Sequence, residues 1–172
     1  MNALRILGFA GLAALAIALS GCAGSVAAPV SVQALSAQQR MMLHFADVSA
    51  ETKSGVVMTP MDLDRISQRV KAELSALTPS VVGPADASAA KVKLVFTRYD
   101  RGSAAARALL IGLGQIRIDA DVVVVDASGT TVGQYQVAKQ FALGGIAGAV
   151  TSTDDVEEGF AKSVAEIFKS KK

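Results

Sequence analysis

Side chains able to do covalent, acid–base or metal chemistry are few in this sequence. There is one cysteine, Cys22, and one histidine, His44. His44 sits among Met41, Leu43 and Phe45, and lacks the partners that a nucleophile–base pair or a three- to four-ligand zinc site requires. Asp119, Asp121 and Asp126 fall on one extended stretch, where calcium ligation comes to mind. In a regular strand, however, Asp126 faces away from the other two, so a solvated face is the better reading. Asp154, Asp155, Glu157 and Glu158 cluster at the start of a helix, where acids complement the helix dipole. The place with binding chemistry is Arg101-Gly102-Ser103 followed by Arg107. A glycine and a serine opening a helix between two guanidinium groups could receive a phosphate or another small anion. The simpler reading of the same residues is a capped helix whose arginines are solvated or paired with Asp100. Gly112-Leu113-Gly114 reads as a tight turn, since neither the lysine nor the glycine spacing of a nucleotide loop accompanies it. The expectation is a protein without catalytic residues, metal or soluble cofactor.

Cys22 acquires a different meaning from what precedes it. Arg5 and the amino terminus supply a positive end, and Ile6–Leu19 then runs without a charge. A helix crossing a bilayer needs ~20 apolar residues, so this shorter run suits the core of an export signal. It ends in Leu19-Ser20-Gly21-Cys22, which resembles the lipobox of bacterial lipoproteins: a branched aliphatic residue, two small residues and the cysteine. The resemblance implies cleavage before Cys22 and acylation of that residue, so that covalent lipid is the only attached group expected. One chain binds a membrane marginally, while each buried methylene adds ~0.8 kcal/mol, so several chains anchor firmly. Ala23, rather than an aspartate, follows the cysteine. By resemblance to lipoproteins of two-membrane bacteria, this implies an outer-membrane location with the domain in the periplasm.

Charge excludes some partners. The chain has 17 basic and 15 acidic residues, and Arg5 belongs to the leader, so the remainder is nearly neutral. Nucleic acid is not an expected partner. Tryptophan is absent and aromatics make up 5% of the residues, which weakens any case for base or sugar stacking.

The elements that must carry these residues follow from periodicity. Residues 1–21 are the signal, 22–39 a lipidated and flexible tether spanning ~20–25 Å, and 40–172 a single periplasmic domain. Alternation places a first strand over 41–48. Thr59-Pro60-Met61-Asp62 opens a helix with a cap, a proline at its first position and an acid in its first turn. Its stripe is Leu63, Ile66, Val70, Leu74 and Leu77, with Arg65, Gln68, Lys71 and Glu73 outside. Strands are expected over 91–99, 115–126 and 131–141, the last two joined at Ala127-Ser128-Gly129-Thr130 as a hairpin. A short helix is expected from Ala104, and a final one from about Ser152 with Val156, Phe160, Val164, Ile167 and Phe168 buried. The expected fold is α+β, in the order β-α-β-β-β-α: a four-stranded, mostly antiparallel mixed sheet with two amphipathic helices on one face. The hairpin brings the apolar stretches 100–114 and 142–150 to one end of that sheet. Internal packing is the expected fate of Leu109–Leu113 and Phe141–Val150, with a partner or membrane surface as the alternative.

The run from Phe96 through Arg98, Asp100, Arg101-Gly102-Ser103 and Arg107, then Gly112-Leu113-Gly114-Gln115 and the strand ending Val125-Asp126, resembles the bacterial lipoprotein family called domain of unknown function 4410. The resemblance spans roughly residues 41–168. It implies an envelope lipoprotein with a small α/β domain and brings no catalytic residues. The leading expectation is an anchored protein with a structural or assembly role, bound to another envelope protein or to copies of itself. The alternative is a binding module for a small anion or lipid head group at Arg101, Gly102, Ser103 and Arg107.

Overall fold

A computed structural model describes residues 29–42, 45–77, 90–109, 114–141 and 150–169. The lipobox residues Leu19, Ser20, Gly21 and Cys22, together with His44, Gly112 and Leu113, lie outside the described residues. The elements are β1 (Val30–Gln33), α1 (Ala37–Met42), β2 (Phe45–Thr52), α2 (Pro60–Leu77), β3 (Ala90–Asp100), α3 (Ala104–Leu109), β4 (Ile116–Val125), β5 (Thr131–Phe141) and α4 (Thr153–Glu166).

They build one α+β unit around a five-stranded sheet of order β1-β5-β4-β3-β2. The β2–β3 pair is parallel and the other pairs are antiparallel. A parallel neighbour needs a crossover, and α2 supplies it. Alternation along β3 and β4 buries Val92, Leu94, Phe96, Ile118, Val122 and Val124 on one face. Helices α2 and α4 cover that face, inserting Ile66, Val70, Leu74, Phe160 and Val164. The rings of Phe96 and Phe160 meet at 5.7 Å between centroids, and each such buried side chain contributes about 1.5–3 kcal/mol. The other face carries ion pairs instead, Glu51–Lys93, Arg98–Asp100 and Arg117–Asp119.

The expected four-stranded order needs correcting at its beginning. A fifth strand, β1, and helix α1 occupy residues assigned to the tether. What was expected as a strand over 41–48 is the end of α1 followed by β2. Local chemistry explains α1: the Ser36 hydroxyl accepts from the Gln39 N–H at 3.1 Å, and the Gln39 side chain accepts from the Ser36 N–H at 2.8 Å. This reciprocal cap starts a helix where alternation suggested a strand. Just before it, Leu35 is buried and its N–H donates to the Tyr135 hydroxyl at 2.6 Å. Residues 30–39 thus belong to the folded unit rather than to a flexible tether.

Candidate functional site

Strand directions gather the ends of β2, β3 and β5 with the starts of β4, α2 and α4 at one end of the sheet, here the loop end. Ile116 pairs with Phe141, Asp100 with Arg117 and Thr52 with Phe96. The candidate site residues lie here, as expected from the hairpin, but not as one cluster.

Arg107 is 3% exposed although it sits in a short helix otherwise made of alanine and leucine. Its guanidinium donates to the Gly114 carbonyl at 2.7 Å and to the Thr151 carbonyl at 3.0 Å. It thus ties α3 to the start of β4 and to the lead-in of α4. Gly102 and Gly114 make this closure possible. Each has φ +64°, and a Cβ on Gly102 would fall 2.2 Å from the Gly114 carbonyl oxygen. That same oxygen accepts from the Ser103 N–H at 3.1 Å. The Ser103 hydroxyl accepts from Ala106 N–H at 3.3 Å, capping α3 as the sequence implied.

Arg101 points elsewhere. Its guanidinium donates to Asp62 at 2.6 Å and stacks 5.7 Å above the Tyr99 ring. Arg101 and Arg107 therefore do not converge on a common anion pocket. Thr59, Asp62, Tyr99 and Arg101 instead line an open cleft of about 330 Å³ together with Val57 and Met58.

Behind Arg101 lies a charged network that joins α2, α4 and β3. Asp62 is 2% exposed and Glu157 is fully buried. Asp62 accepts from the Thr59 N–H and hydroxyl at 3.0 and 2.8 Å, and from Arg65 at 2.8 Å. Glu157 accepts two bonds from Arg65, at 2.8 and 2.7 Å, and one from the Tyr99 hydroxyl at 2.7 Å. Arg69 completes the helix junction through the Asp154 carboxylate at 2.6 Å. Burial works against the charge of Asp62, yet the Thr59, Arg65 and Arg101 donors win and hold its carboxyl well below the usual range. Hydrogen bonds to Glu157 and then Asp62 raise the Arg65 guanidinium further still. Burial, helped by the bond to Glu157, pushes the Tyr99 hydroxyl up to about 12.

Sequence reading missed this network. Periodicity places Arg65 on the solvent side of α2, and the helix dipole alone accounts for Glu157. A signal existed for Glu157: Val156, Phe160, Ala161 and Val164 are buried in α4, and position 157 shares a face with 160, 161 and 164. Among the described residues, no group of three or more histidine, cysteine, aspartate or glutamate side chains is placed to hold a metal ion.

The site and the sheet together define a class: a small domain in which paired helices cover one face of a mixed sheet and are joined to each other by buried ion pairs. The chain belongs to the family described as domain of unknown function (DUF4410), whose model matches residues 30–145. Among solved structures, the PelC dodecamer from Paraburkholderia phytofirmans is similar in fold, with a TM-score of 0.52 at 14% identity, covering 84% of this chain and 99% of that one. A methionine-substituted variant of the same PelC aligns with a TM-score of 0.48 at 12% identity over 87% and 99% of the two chains. A candidate lipoprotein from Caulobacter crescentus aligns with a TM-score of 0.41 at 19% identity, covering 69% of this chain and 82% of that one. No protein with a curated description matches the sequence.

Proposed function

We propose that this protein is a lipoprotein of the bacterial outer membrane, held by acyl chains on Cys22, whose periplasmic domain has a structural or assembly role rather than a catalytic one. The anchor reading rests on Leu19-Ser20-Gly21-Cys22 closing an uncharged run of signal-peptide length. Ala23 after the cysteine supports sorting to the outer membrane. Among the described residues no helix is long and apolar enough to cross a membrane.

The observation that carries the assembly reading is the use made of the interior charges. Asp62, Glu157, Arg65 and Arg107 all act as braces between elements, through bonds to one another or to backbone carbonyls. Such a network supports a rigid scaffold more than a site for turnover. The partner is either another envelope protein or further copies of the chain, and the fold it shares with a protein that crystallised as a dodecamer favours copies. An anion module at Arg101 is less well supported, because the Asp62 carboxylate already faces that guanidinium.

Metabolic labelling with radioactive palmitate tests the anchor: the wild-type chain should incorporate label, and Cys22→Ser should lose both label and membrane attachment. Chemical crosslinking in intact cells tests assembly and should yield a ladder of homo-oligomers or one defined heteromer. A monomer without crosslinks would refute the assembly role while leaving the anchor intact.

A further inference from the structure

We infer that the loop end of the sheet is seated on the lipid surface of the bilayer that holds the Cys22 acyl chains, an orientation that rests on the anchor reading above. Helix α3 provides the first observation. It reads Ala-Ala-Ala-Arg-Ala-Leu, yet its charged residue is the one turned inward, while Leu109 is 80% exposed. Water should favour the reverse arrangement, so an apolar or interfacial surface is the environment this helix matches.

Neighbouring side chains repeat the pattern. Val57 in the β2–α2 loop is 87% exposed, Met61 in the first turn of α2 is 76% exposed, and Val150 before α4 is 74% exposed. All three belong to segments at the loop end. The remaining exposed large apolar residues among those described, Val30 and Val32, lie on β1, which receives the tether. At the opposite end, the β4–β5 turn is formed by Asp126, Ser128 and Thr130, bonded to one another. Among the described residues, the exposed large apolar side chains thus sit at the loop end or on β1, and the acids Asp100 and Asp154, their side chains open to solvent, share the loop end with them. Lys53 is exposed at that end, where lipid phosphates would meet it.

The tether selects the lipid surface as the occupant. Val30 pairs with Gln136, and β1 runs antiparallel to β5, so the N-terminal end of β1 points toward Phe141 and the loop end. Fully extended, the segment from Cys22 to Val30 reaches at most about 27 Å. The rise of β5 from Gln136 to Phe141 takes up about 17 Å of that reach. About 10 Å is left between the end of the sheet and the acylated residue. A chain reversing toward the opposite end would have to turn first and then spend about the same 17 Å, because Gln136 lies midway along β5.

Site-directed quenching tests the orientation on the full-length acylated protein in vesicles of phosphatidylethanolamine and phosphatidylglycerol. Acylation removes the Cys22 thiol, so Leu109→Cys, Val57→Cys and Ser128→Cys each offer one site for a fluorescent label. These positions are exposed, and thermal melting of each variant checks that the fold is kept. Doxyl-labelled lipid should quench the labels at Leu109 and Val57 several-fold more than the label at Ser128. Equal quenching at both ends, or a reversed gradient, would overturn the seating while flotation with the vesicles still upholds the anchor. Failure to float would remove the anchor and this orientation together. Pyrene excimers at Leu109 that persist in detergent, without lipid quenching, would assign the patch to a second copy and likewise overturn it.

Discussion

Glu157 shows what a single side chain costs when it is taken out of water. It has no exposure, and its charge is balanced mainly by Arg65 with help from the Tyr99 hydroxyl. Removing one partner of such a pair leaves an uncompensated buried charge, which costs about 3–5 kcal/mol. Arg65→Leu should therefore lower the unfolding free energy in urea by about 3 kcal/mol. Arg65→Leu combined with Glu157→Leu should recover part of that loss, because the orphaned carboxylate is gone. A double variant weaker than the sum of its single variants would show that the pair is not the unit. Titration follows from the same contacts. In the unfolded chain Asp62 takes up a proton near pH 3.8, while in the fold it resists protonation to lower pH. Its contribution is present above that value and fades as pH falls below it. Tyr99 behaves oppositely: raised from 10.0 to about 12, it stabilises the fold below pH 10 and ceases to as pH climbs between the two values. Melting temperature against pH should thus fall below about pH 4 and again above pH 10. Asp62→Asn should flatten the acid arm, and Tyr99→Phe the alkaline one.

At the scale of elements, the closure around α3 is the least tolerant part of the fold. Gly102 has left-handed φ and no room for a Cβ, whereas Gly129 has left-handed φ and open space around it. Gly129→Ala should cost about 1–2 kcal/mol from backbone strain alone. Gly102→Ala must also displace the Gly114 carbonyl that Arg107 grips, so its loss of melting temperature should be clearly the larger. Legibility in the sequence followed how local the determinants are. Both long helices could be read because their caps, Thr59 with Asp62 and Ser152 with Asp155, and their apolar stripes lie within a few turns. The β4–β5 hairpin was legible for the same reason. Strand β1 was not, since Val-Ser-Val-Gln is short, exposed and paired with residues about 100 positions away. Its helix α1 could have been read from Ser36 and Gln39, but the alternation that follows competed with that cap. The junction of Arg65, Tyr99 and Glu157 depends on three separate elements meeting, and no local period encodes that meeting.

For the whole molecule, the expected internal packing of Leu109–Leu113 and Phe141–Val150 holds at Phe141, which packs against the core, and is corrected at Leu109 and Val150, which are exposed. Residues 110–113 and 142–149 lie outside the described residues. The apolar loop end and the exit direction of the tether together give the domain a polarity, which the quenching gradient would read. That polarity constrains how several copies could share one bilayer. The two borders of the sheet differ, β1 on one side and β2 on the other, and the two strands run in opposite directions. Two β1 strands joined antiparallel would turn the loop ends of their copies opposite ways, so that one lipid pointed away from the membrane. Border β1 of one copy against border β2 of the next forms an antiparallel ladder with all copies upright. Such head-to-tail contacts have no two-fold axis, and they would form a ring only where the rotation from copy to copy closes, and an open filament where it does not.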